Sequence, residues 1–300
     1  MWFKNIHFYK FEDDFKLDAQ ALHEALSTRE ARGCGQMEVS AQGWCPPLGN
    51  IGRMLVHQTD GNLMLCLRRE DKILPSSLVN EQVELKAEQI EQQAGRPVGR
   101  KERRDLKDTV LQELLPKALV KSSQTFAAIL PKQGWFIVNA GSAKKAEELI
   151  EYLRKTLGTF NVVMPSTDES MEASMTEWLL NDANLPAGFT LEDACELRSS
   201  NENQGVIRCS YVDIASDDVR AHVNGGYRVK KLAMNWQERL SFMLSEDLSV
   251  KRMRFDSAIV EGAGDSADDE ASRFDADFAI MAAELAEFIP ALLGAVKAKV

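Results

Sequence analysis

Apolar residues recur at helical spacing in the middle of the chain and predict a helical hairpin. The first helix has its apolar positions within residues 79–94, and the second has them within residues 106–119. Residues 95–99 (GRPVG) separate the two, because glycine and proline interrupt helices. We expect Pro116 to kink the second helix or to end it early. The pattern therefore places a projecting helical hairpin at residues 76–117.

Short apolar or alternating runs on both sides of this hairpin predict strands. Residues 63–67 (LMLCL) are continuously apolar, which is typical of a strand buried on both faces. Residues 126–130 and 135–138 are joined by the turn sequence PKQG and predict a β-hairpin. Residues 240–244 and 252–255 alternate in polarity, and they predict a second β-hairpin with one apolar face and one basic face.

Two more helices are predicted in the second half of the chain. Ser142 can cap the first, which has apolar residues on its inner side and ends near Gly158. The second has its apolar side within residues 274–292, and RFDADF at residues 273–278 has the pattern of a capped, acidic first turn. Residues 261–270 are acidic and small, so they predict a loop before this helix.

Helices and strands are mixed without regular βαβ alternation, which favours the α+β class. The aromatic run at residues 1–10 predicts the first strand. We expect residues 1–75 and 118–165 to form a central α+β part, with the hairpin at residues 76–117 inserted between them. Residues 166–300 form a second α+β part that ends in a long amphipathic helix.

Charge is unevenly distributed along the 300 residues. The formal net charge is −10, which by itself argues against a nucleic-acid partner. Basic residues are nevertheless concentrated within residues 96–121 and 220–254, whereas acidic residues dominate within residues 165–204 and 255–300. A binding surface is a local feature, so the net charge does not exclude one. Charge alone favours solvated helix faces over a binding surface.

Cysteine and histidine usage gives no strong metal or redox signal. The five cysteines are scattered, are odd in number and include no Cys-x-x-Cys motif, which indicates free thiols in a reducing compartment. A metal bound by Cys34, Cys45 and His57 is the alternative, and ordinary buried thiols are favoured over it.

Motifs of common enzyme classes are absent from the sequence, namely the P-loop, Gly-x-Gly-x-x-Gly, His-Glu-x-x-His and Gly-x-Ser-x-Gly. Asp275 and Asp277, with Asp265, Asp268 and Asp269, are the residues of an alternative nuclease metal site. The acidic first turn of the last helix is the favoured explanation for them. We therefore expect no enzyme activity, no cofactor and no metal.

The sequence also carries no signal for export or for a membrane. It contains no run of about 18 apolar residues, so we expect no transmembrane helix. Its first residues lack the pattern of a signal peptide. We therefore expect a cytoplasmic protein.

An ordered set of short motifs resembles the RdgC family, the recombination-associated proteins of proteobacteria. Each motif is weak alone, but their order is specific and the resemblance extends from end to end. The motifs are WFKN at residues 2–5, GW with PP at 43–47, KILP at 72–75, LLPKA at 114–118, SQT at 123–125, SAKKAE at 142–147, LRK at 153–155, TEW at 176–178, GVIR at 205–208, KLA at 231–233 with Trp236 and Arg239, KR at 251–252, and RFDADF at 273–278.

The resemblance implies a ring-shaped homodimer. Duplex DNA would pass through a basic central hole, or lie against it, and would be bound without regard to sequence. It further implies a nucleoid-associated protein that limits the RecA recombinase by occupying its DNA and that acts in recombination and replication. Single-stranded DNA is a further expected partner. The chain departs from the family at Leu119, where an aromatic residue is frequent, and at residues 209–212 (CSYV), where polar or lysine-rich sequence is common.

Under this hypothesis, basic side chains neutralise phosphates and release counterions, whatever the base sequence. The hairpin at residues 76–117 would meet its dimer mate, and the last helix would serve either the opposite interface or its own core. The predicted phosphate contacts are Arg96, Arg100, Lys101, Arg103, Arg104, Lys117, Lys121, Lys144, Lys145, Arg228, Lys230 and Lys231.

Two other functions remain as alternatives. The first is a protein-interaction module that inhibits the recombinase directly, because the acidic segments can engage a basic partner. The second is a metal-dependent nuclease that uses Asp275 and Asp277.

Overall fold

The computed structural model describes residues 1–200, 205–264 and 269–299. Asp265 and Asp268, which belong to the alternative metal site, lie outside these residues. The chain forms two compact units. The first unit comprises Met1–Leu26, Pro46–Cys66 and Thr125–Val300, and the second comprises Ser27–Cys45 and Leu67–Gln124. The three-part division of the chain at residues 75, 118 and 166 stays a prediction.

The architecture is mixed α+β, as the irregular alternation of patterns predicts. The described α-helices are α1 (Ala19–Ser27), α2 (Ser76–Ala94), α3 (Arg100–Leu114), α4 (Ala143–Leu157), α5 (Met171–Leu180), α6 (Asp217–Asn224), α7 (Ser257–Gly264) and α8 (Glu270–Ala295). The described strands are β1 (Ile6–Phe11), β2 (Ser40–Cys45), β3 (Val56–Thr59), β4 (Asn62–Lys72), β5 (Val120–Leu130), β6 (Trp135–Asn139), β7 (Val162–Val163), β8 (Ser166–Thr167), β9 (Phe189–Ser199), β10 (Val206–Ser210), β11 (Tyr227–Trp236), β12 (Leu240–Ser245), β13 (Val250–Phe255) and β14 (Ala298–Lys299).

A large antiparallel sheet organises the first unit. Its strands follow the order β10-β9-β11-β12-β13-β1-β6-β5, and each neighbouring pair is antiparallel. The first strand, β1, lies inside the sheet, with Ile6 opposite Val250 of β13 and Asn139 of β6. The two predicted β-hairpins are confirmed as β5-β6 and β12-β13. The sheet therefore joins residues that are far apart along the chain.

α8 contributes its apolar side to the core of the first unit. Phe288 is fully buried, and its ring centroid lies 4.9 Å from that of Phe242 on β12 and 5.6 Å from that of Trp236 on β11. Burying a side chain of this size stabilises the fold by about 1.5–3 kcal/mol. The amphipathic last helix is therefore confirmed, and its apolar side is used by this core rather than left free.

The second unit contains the predicted helical hairpin. Val79 and Val83 of α2 and Val110 of α3 form a small buried cluster, so the two helices pack against each other. Gly95 ends α2 in the left-handed conformation with φ 66°, which glycine adopts without steric cost. The helical hairpin is therefore confirmed, and the three valines, which the periodicity places on its inner faces, are buried.

The second helix of the hairpin ends earlier than its predicted apolar face, which extends to Leu119. α3 ends at Leu114, and a 3₁₀ turn follows over Leu115–Lys117 because Pro116 has no N–H to continue the α-helical ladder. Leu119 lies beyond this turn and is 77% exposed. Its assignment to the buried face of the helix was therefore wrong, whereas the stop at Pro116 is confirmed.

The segment before the last helix also differs in part from the loop that the sequence predicts. Residues 261–264, predicted as part of a loop, belong to α7. α8 begins at Glu270, and the side chain of Asp269 caps it by accepting a hydrogen bond from the backbone N–H of Ser272 at 2.7 Å. Residues 273–278 are therefore not the first turn, because the cap lies four residues before Arg273.

Candidate nucleic-acid interface

Basic side chains from three strands surround two cavities on the sheet of the first unit. One cavity of about 300 Å³ is lined by Arg208 of β10, Lys231 of β11, and Lys251 and Arg252 of β13. A second cavity of about 430 Å³ includes Arg252 and Arg254 in its lining. We call these five residues the basic sheet face. Glu192 and Asp193 also line the second cavity, so the excess of positive charge lies at the first cavity, where four cations surround Glu196.

A β-bulge in β13 brings consecutive residues to this face. Lys251 is opposite Met243 of β12, and Arg254 is opposite Ser241, so β13 has one residue more than its partner between the two pairs. Arg252 has φ 52°, outside the extended region. Because the extra residue turns the strand locally, Lys251, Arg252 and Arg254 can line neighbouring cavities, which simple alternation would not allow.

Small and apolar side chains form the floor between these cations. Ala194, Ala233 and Met243 are buried against one another and line the cavities. The short alanine side chains leave room above the sheet. They also provide no hydrogen-bonding groups that could recognise the edge of a base.

One buried carboxylate organises part of the basic sheet face. Glu196 of β9 is 7% exposed, and its Oε2 lies 3.0 Å from Lys231 Nζ and 3.1 Å from Arg208 Nε. Arg198 lies 3.5 Å from its other oxygen. Burial alone would raise the pKa of Glu196, but the hydrogen bonds from Lys231 and Arg208 lower it. The carboxylate therefore stays charged and holds cations that exceed it in number.

The other predicted contacts on β11 have different surroundings. Lys230 points away from Lys231, and its ammonium group contacts Glu172 and, at 2.6 Å, Glu246. These hydrogen bonds raise the pKa of Lys230, so it is charged but already matched by two carboxylates. Arg228 is exposed and donates a hydrogen bond to the carbonyl oxygen of Tyr227 at 3.1 Å.

Lys144 and Lys145 are exposed at the start of α4, where the sequence predicts them. Ser142 caps this helix by accepting a hydrogen bond from the backbone N–H of Lys145. The buried side of α4, which includes Leu149 and Leu153, faces away from the two lysines. Both charges are therefore available to an external anion.

The second unit holds the predicted contacts from Arg96 to Lys121. Arg100 and Arg104 are exposed and share one side of α3, because they are four residues apart. Lys101 is also exposed in the first turn, whereas Arg103 contacts Glu84 of α2. Gly99 caps this helix without a side-chain hydrogen bond. The cations therefore add to the positive end of the helix dipole.

The remaining contacts of this unit lie outside the first turn of α3. Arg96 pairs with Glu102 at 2.9 Å, which raises the pKa of Arg96 and lowers that of Glu102. Lys117 is exposed in the 3₁₀ turn, and Lys121 is exposed on β5.

Sequence reasoning missed Arg208, Lys251, Arg252 and Arg254 as members of a site. The alternation of basic and apolar residues in β13 signals a basic face, but it does not reveal the bulge. The role of Glu196 depends on pairing between β9, β10 and β11, and no local pattern indicates that pairing.

Asp275 and Asp277 have structural partners. Asp275 accepts a hydrogen bond from the Thr59 hydroxyl and lies 3.1 Å from His57 Nε2, whereas Asp277 accepts one from the Trp2 indole N–H at 3.0 Å. Across residues 1–200, 205–264 and 269–299, no three His, Cys, Asp or Glu side chains are grouped so that they could hold a metal ion.

Among the helices of the described chain, α8 alone is long and apolar enough to cross a membrane by length and composition. Half of its most apolar window is buried within the protein. A core helix of a soluble protein passes the same test.

Comparison with known proteins gives a match over nearly the whole chain. The family model described as "Putative exonuclease, RdgC" matches residues 1–299. Relatives named recombination-associated protein RdgC include those of Aeromonas hydrophila and Tolumonas auensis, which are 45% and 41% identical to this chain over 296 residues. These matches cover 98% of this chain, and 97% and 98% of the relatives respectively. The chain therefore belongs to the RdgC family.

Proposed function

We propose that this protein binds duplex DNA without reading its sequence, and that it does so as a ring-shaped homodimer. By occupying DNA in the nucleoid, it limits RecA-dependent recombination and acts in replication, and it has no catalytic activity of its own. The basic sheet face carries this proposal, because it combines five cations with open space and an apolar floor of Ala194, Ala233 and Met243.

The composition of the basic sheet face favours phosphate over base recognition. Guanidinium and ammonium groups neutralise phosphates and release counterions, a contribution that is the same for every sequence. Asparagine and glutamine, which read adenine, are absent from the described lining of the two cavities, and the polar groups there besides the cations are those of Glu192, Asp193, Glu196, Ser210, Tyr211 and Ser241. The cations supply the contacts to phosphate. Contacts of this kind position a duplex but carry little sequence information.

The first turn of α3 supports a second contact region. Cations at the positive end of a helix repel one another and the dipole, at a cost of about 0.3–1 kcal/mol each, and a bound anion relieves that cost. The exposed side chains of Arg100 and Lys101 fit a phosphate in this way, and Arg104 lies one turn further along the same side of the helix as Arg100.

The family relationship supports the action on recombination, because the relatives are named for it. A symmetric dimer would present two copies of each basic surface to one duplex. Because the dimer also doubles the net charge of −10, the basic surfaces must face the duplex and the acidic segments must face away from it. DNA enclosed in this way would not be available to a recombinase filament.

Fluorescence anisotropy with two unrelated duplexes and one single strand tests the DNA proposal. We expect the two duplex affinities to agree within about threefold and to fall steeply as salt is raised. Discrimination of about a hundredfold between the duplexes at moderate salt would overturn sequence-independent binding. Sedimentation of the complex reports whether the bound species is a dimer.

A strand-exchange assay separates DNA occupancy from direct recombinase inhibition. The variant Lys144→Glu/Lys145→Glu should bind both duplexes more weakly and should inhibit strand exchange less in the same proportion. Full inhibition by a variant that no longer binds DNA would favour a protein-interaction module instead. Incubation of labelled DNA with Mg²⁺ or Mn²⁺ tests for nuclease activity, and divalent-dependent cleavage would contradict a non-enzymatic role.

A further inference from the structure

Cys195 of β9 and Cys209 of β10 are directly opposite each other in the sheet of the first unit. Opposite residues of antiparallel strands have Cα atoms about 4.5–5.5 Å apart, which lies within the about 4.4–6.8 Å that a disulfide requires. Both thiols are free, and both side chains pack against the same hydrophobic core, so they lie on the same face of the sheet. The two sulfurs are therefore placed for a bond that needs little backbone movement.

The two thiols differ in their access to solvent. Cys195 is 3% exposed and belongs to the hydrophobic core, whereas Cys209 is partly exposed and packs against that core. Burial, together with the neighbouring Cys209, raises the pKa of the Cys195 thiol. A soluble oxidant would therefore reach Cys209 first, and Cys195 would be the second thiol to react.

The other cysteines have different neighbours. Cys34 donates a hydrogen bond from its Sγ to the carbonyl oxygen of Glu38 at 3.3 Å. Cys45 accepts a long hydrogen bond from Gln124 Nε2 at 3.7 Å. Cys34 has the same intermediate exposure as Cys209, so it is a matched control for oxidation of a single accessible thiol.

We propose that Cys195 and Cys209 are a modification site at which a peroxide forms a reversible cross-strand disulfide. The Cys209 sulfur attacks one peroxide oxygen, the O–O bond breaks, and a sulfenic acid and one water result. The Cys195 sulfur then attacks the Cys209 sulfur, the S–O bond breaks, and the Cys195 proton leaves with the hydroxide as a second water. Two thiols are oxidised to one disulfide while hydrogen peroxide is reduced to two waters.

The disulfide would lie beside the organised part of the basic sheet face. Glu196 and Arg208, whose side chains form an ion pair, are the chain neighbours of the two cysteines and are themselves opposite in register. The bond would fix β10 to β9 at this point. The proposal does not depend on DNA binding, because its readout is the covalent state of two named sulfurs.

Peptide mapping of the full-length, reduced protein after treatment with hydrogen peroxide tests the proposal. Blocking with a thiol reagent under denaturing conditions should reveal three free thiols in place of the five of the reduced chain. Non-reduced digestion should yield one linked peptide pair that contains Cys195 and Cys209, and dithiothreitol should restore five thiols. A disulfide that involves other cysteines, or five thiols after treatment that oxidises a reference dithiol, would overturn the proposal.

Single substitutions assign the two roles. After peroxide treatment, Cys209→Ser should form no disulfide and so should not lose a pair of thiols. The matched control Cys34→Ser should still lose two thiols to the disulfide. Cys195→Ala should stop the reaction at a sulfenic acid on Cys209, which dimedone traps. If Cys195→Ala does not fold, the linked peptide of the wild-type chain decides the question. Dimedone labelling of Cys195 in place of Cys209 would contradict the proposed order of attack.

Discussion

Lys231 Nζ lies 3.0 Å from Glu196 Oε2, and this contact joins a predicted phosphate contact to a buried acid that no local pattern indicates. The pair shows how the basic sheet face is built. A single carboxylate orients several cations without cancelling them, because Arg208 shares the same oxygen.

Replacing Glu196 by Gln is expected to strengthen DNA binding. The amide keeps the shape of the side chain but removes one negative charge from beneath Lys231 and Arg208, so the face becomes more positive. We expect the Kd for a short duplex at low salt to fall by about threefold, within the range of about 1 kcal/mol that partly exposed ion pairs contribute. Glu169→Gln, which changes an exposed acid that is paired with Lys297, is the control. Equal effects of both substitutions would show that only the net charge matters.

His7 is expected to make the protein less stable in mild acid. The ring is 2% exposed, and neither ring nitrogen has a hydrogen-bond partner among the described residues. Burial lowers the pKa of His7, although Asp247 and Glu147 act in the opposite direction and Lys251 acts with it. The unfolded chain therefore binds this proton first, and stability is lost as pH falls below the ordinary value near 6.5 towards the folded pKa.

Urea denaturation at several pH values between 5 and 8 measures this effect. The wild-type free energy of unfolding should fall by up to about 1.4 kcal/mol per pH unit for each such histidine. Burial also lowers the pKa of His57, so His7→Leu should remove only part of the pH dependence. An unchanged slope in His7→Leu would show that His7 does not titrate in this window.

Phe288 is expected to be among the most important side chains for the stability of the first unit. Its ring packs against Phe242 and Trp236, so Phe288→Ala would leave a cavity between α8 and the sheet. We expect a loss of about 3–5 kcal/mol in the free energy of unfolding. Leu119→Ala removes an exposed apolar side chain and should change stability by less than about 0.5 kcal/mol. Similar losses in the two variants would contradict the core assignment of α8.

Gly43 is expected to be destabilised by any side chain. A Cβ atom at this position would lie 2.5 Å from Ala31 Cα and 2.7 Å from the Glu30 carbonyl carbon, and both are backbone atoms that cannot simply rotate away. In the same close approach, the Ala31 N–H donates a hydrogen bond to the Trp44 carbonyl oxygen, with 2.7 Å between nitrogen and oxygen. Gly43→Ala should cost about 1–3 kcal/mol through overpacking, as measured by thermal unfolding. Gly33→Ala, which meets no atom within 4 Å, is the control and should be nearly neutral.

Local periodicity predicts much of the fold and little of the basic sheet face. The buried spacing of Val79 and Val83 in α2 is visible in the sequence, because a helix buries residues three or four positions apart. The pairing of Glu196 with Arg208 and Lys231 depends on sheet register between separate strands. No single-strand pattern encodes that register.

The sequence likewise contains many cations without showing which are already paired. Lys230 and Lys231 are adjacent and chemically alike, but a register shift between Val229 and Lys231 interrupts the alternation of β11, and Lys230 contacts Glu172 and Glu246. Lys251 escapes prediction for the same reason, because the bulge in β13 also breaks the alternation that pattern reading assumes. Geometry, rather than residue type, separates the cations that face the cavities from the rest.

The most direct test of the central claim is the salt dependence of duplex binding by Lys251→Ala/Arg254→Ala. Lys297→Ala/Lys299→Ala is the matched control, because it removes the same charge from side chains that are 79% and 70% exposed. If the basic sheet face binds phosphates, the slope of log K against log salt should become shallower by about 0.9 for each phosphate that is no longer neutralised, and only in the first variant. Equal slopes for the wild type and both variants would contradict the assignment of DNA binding to this face.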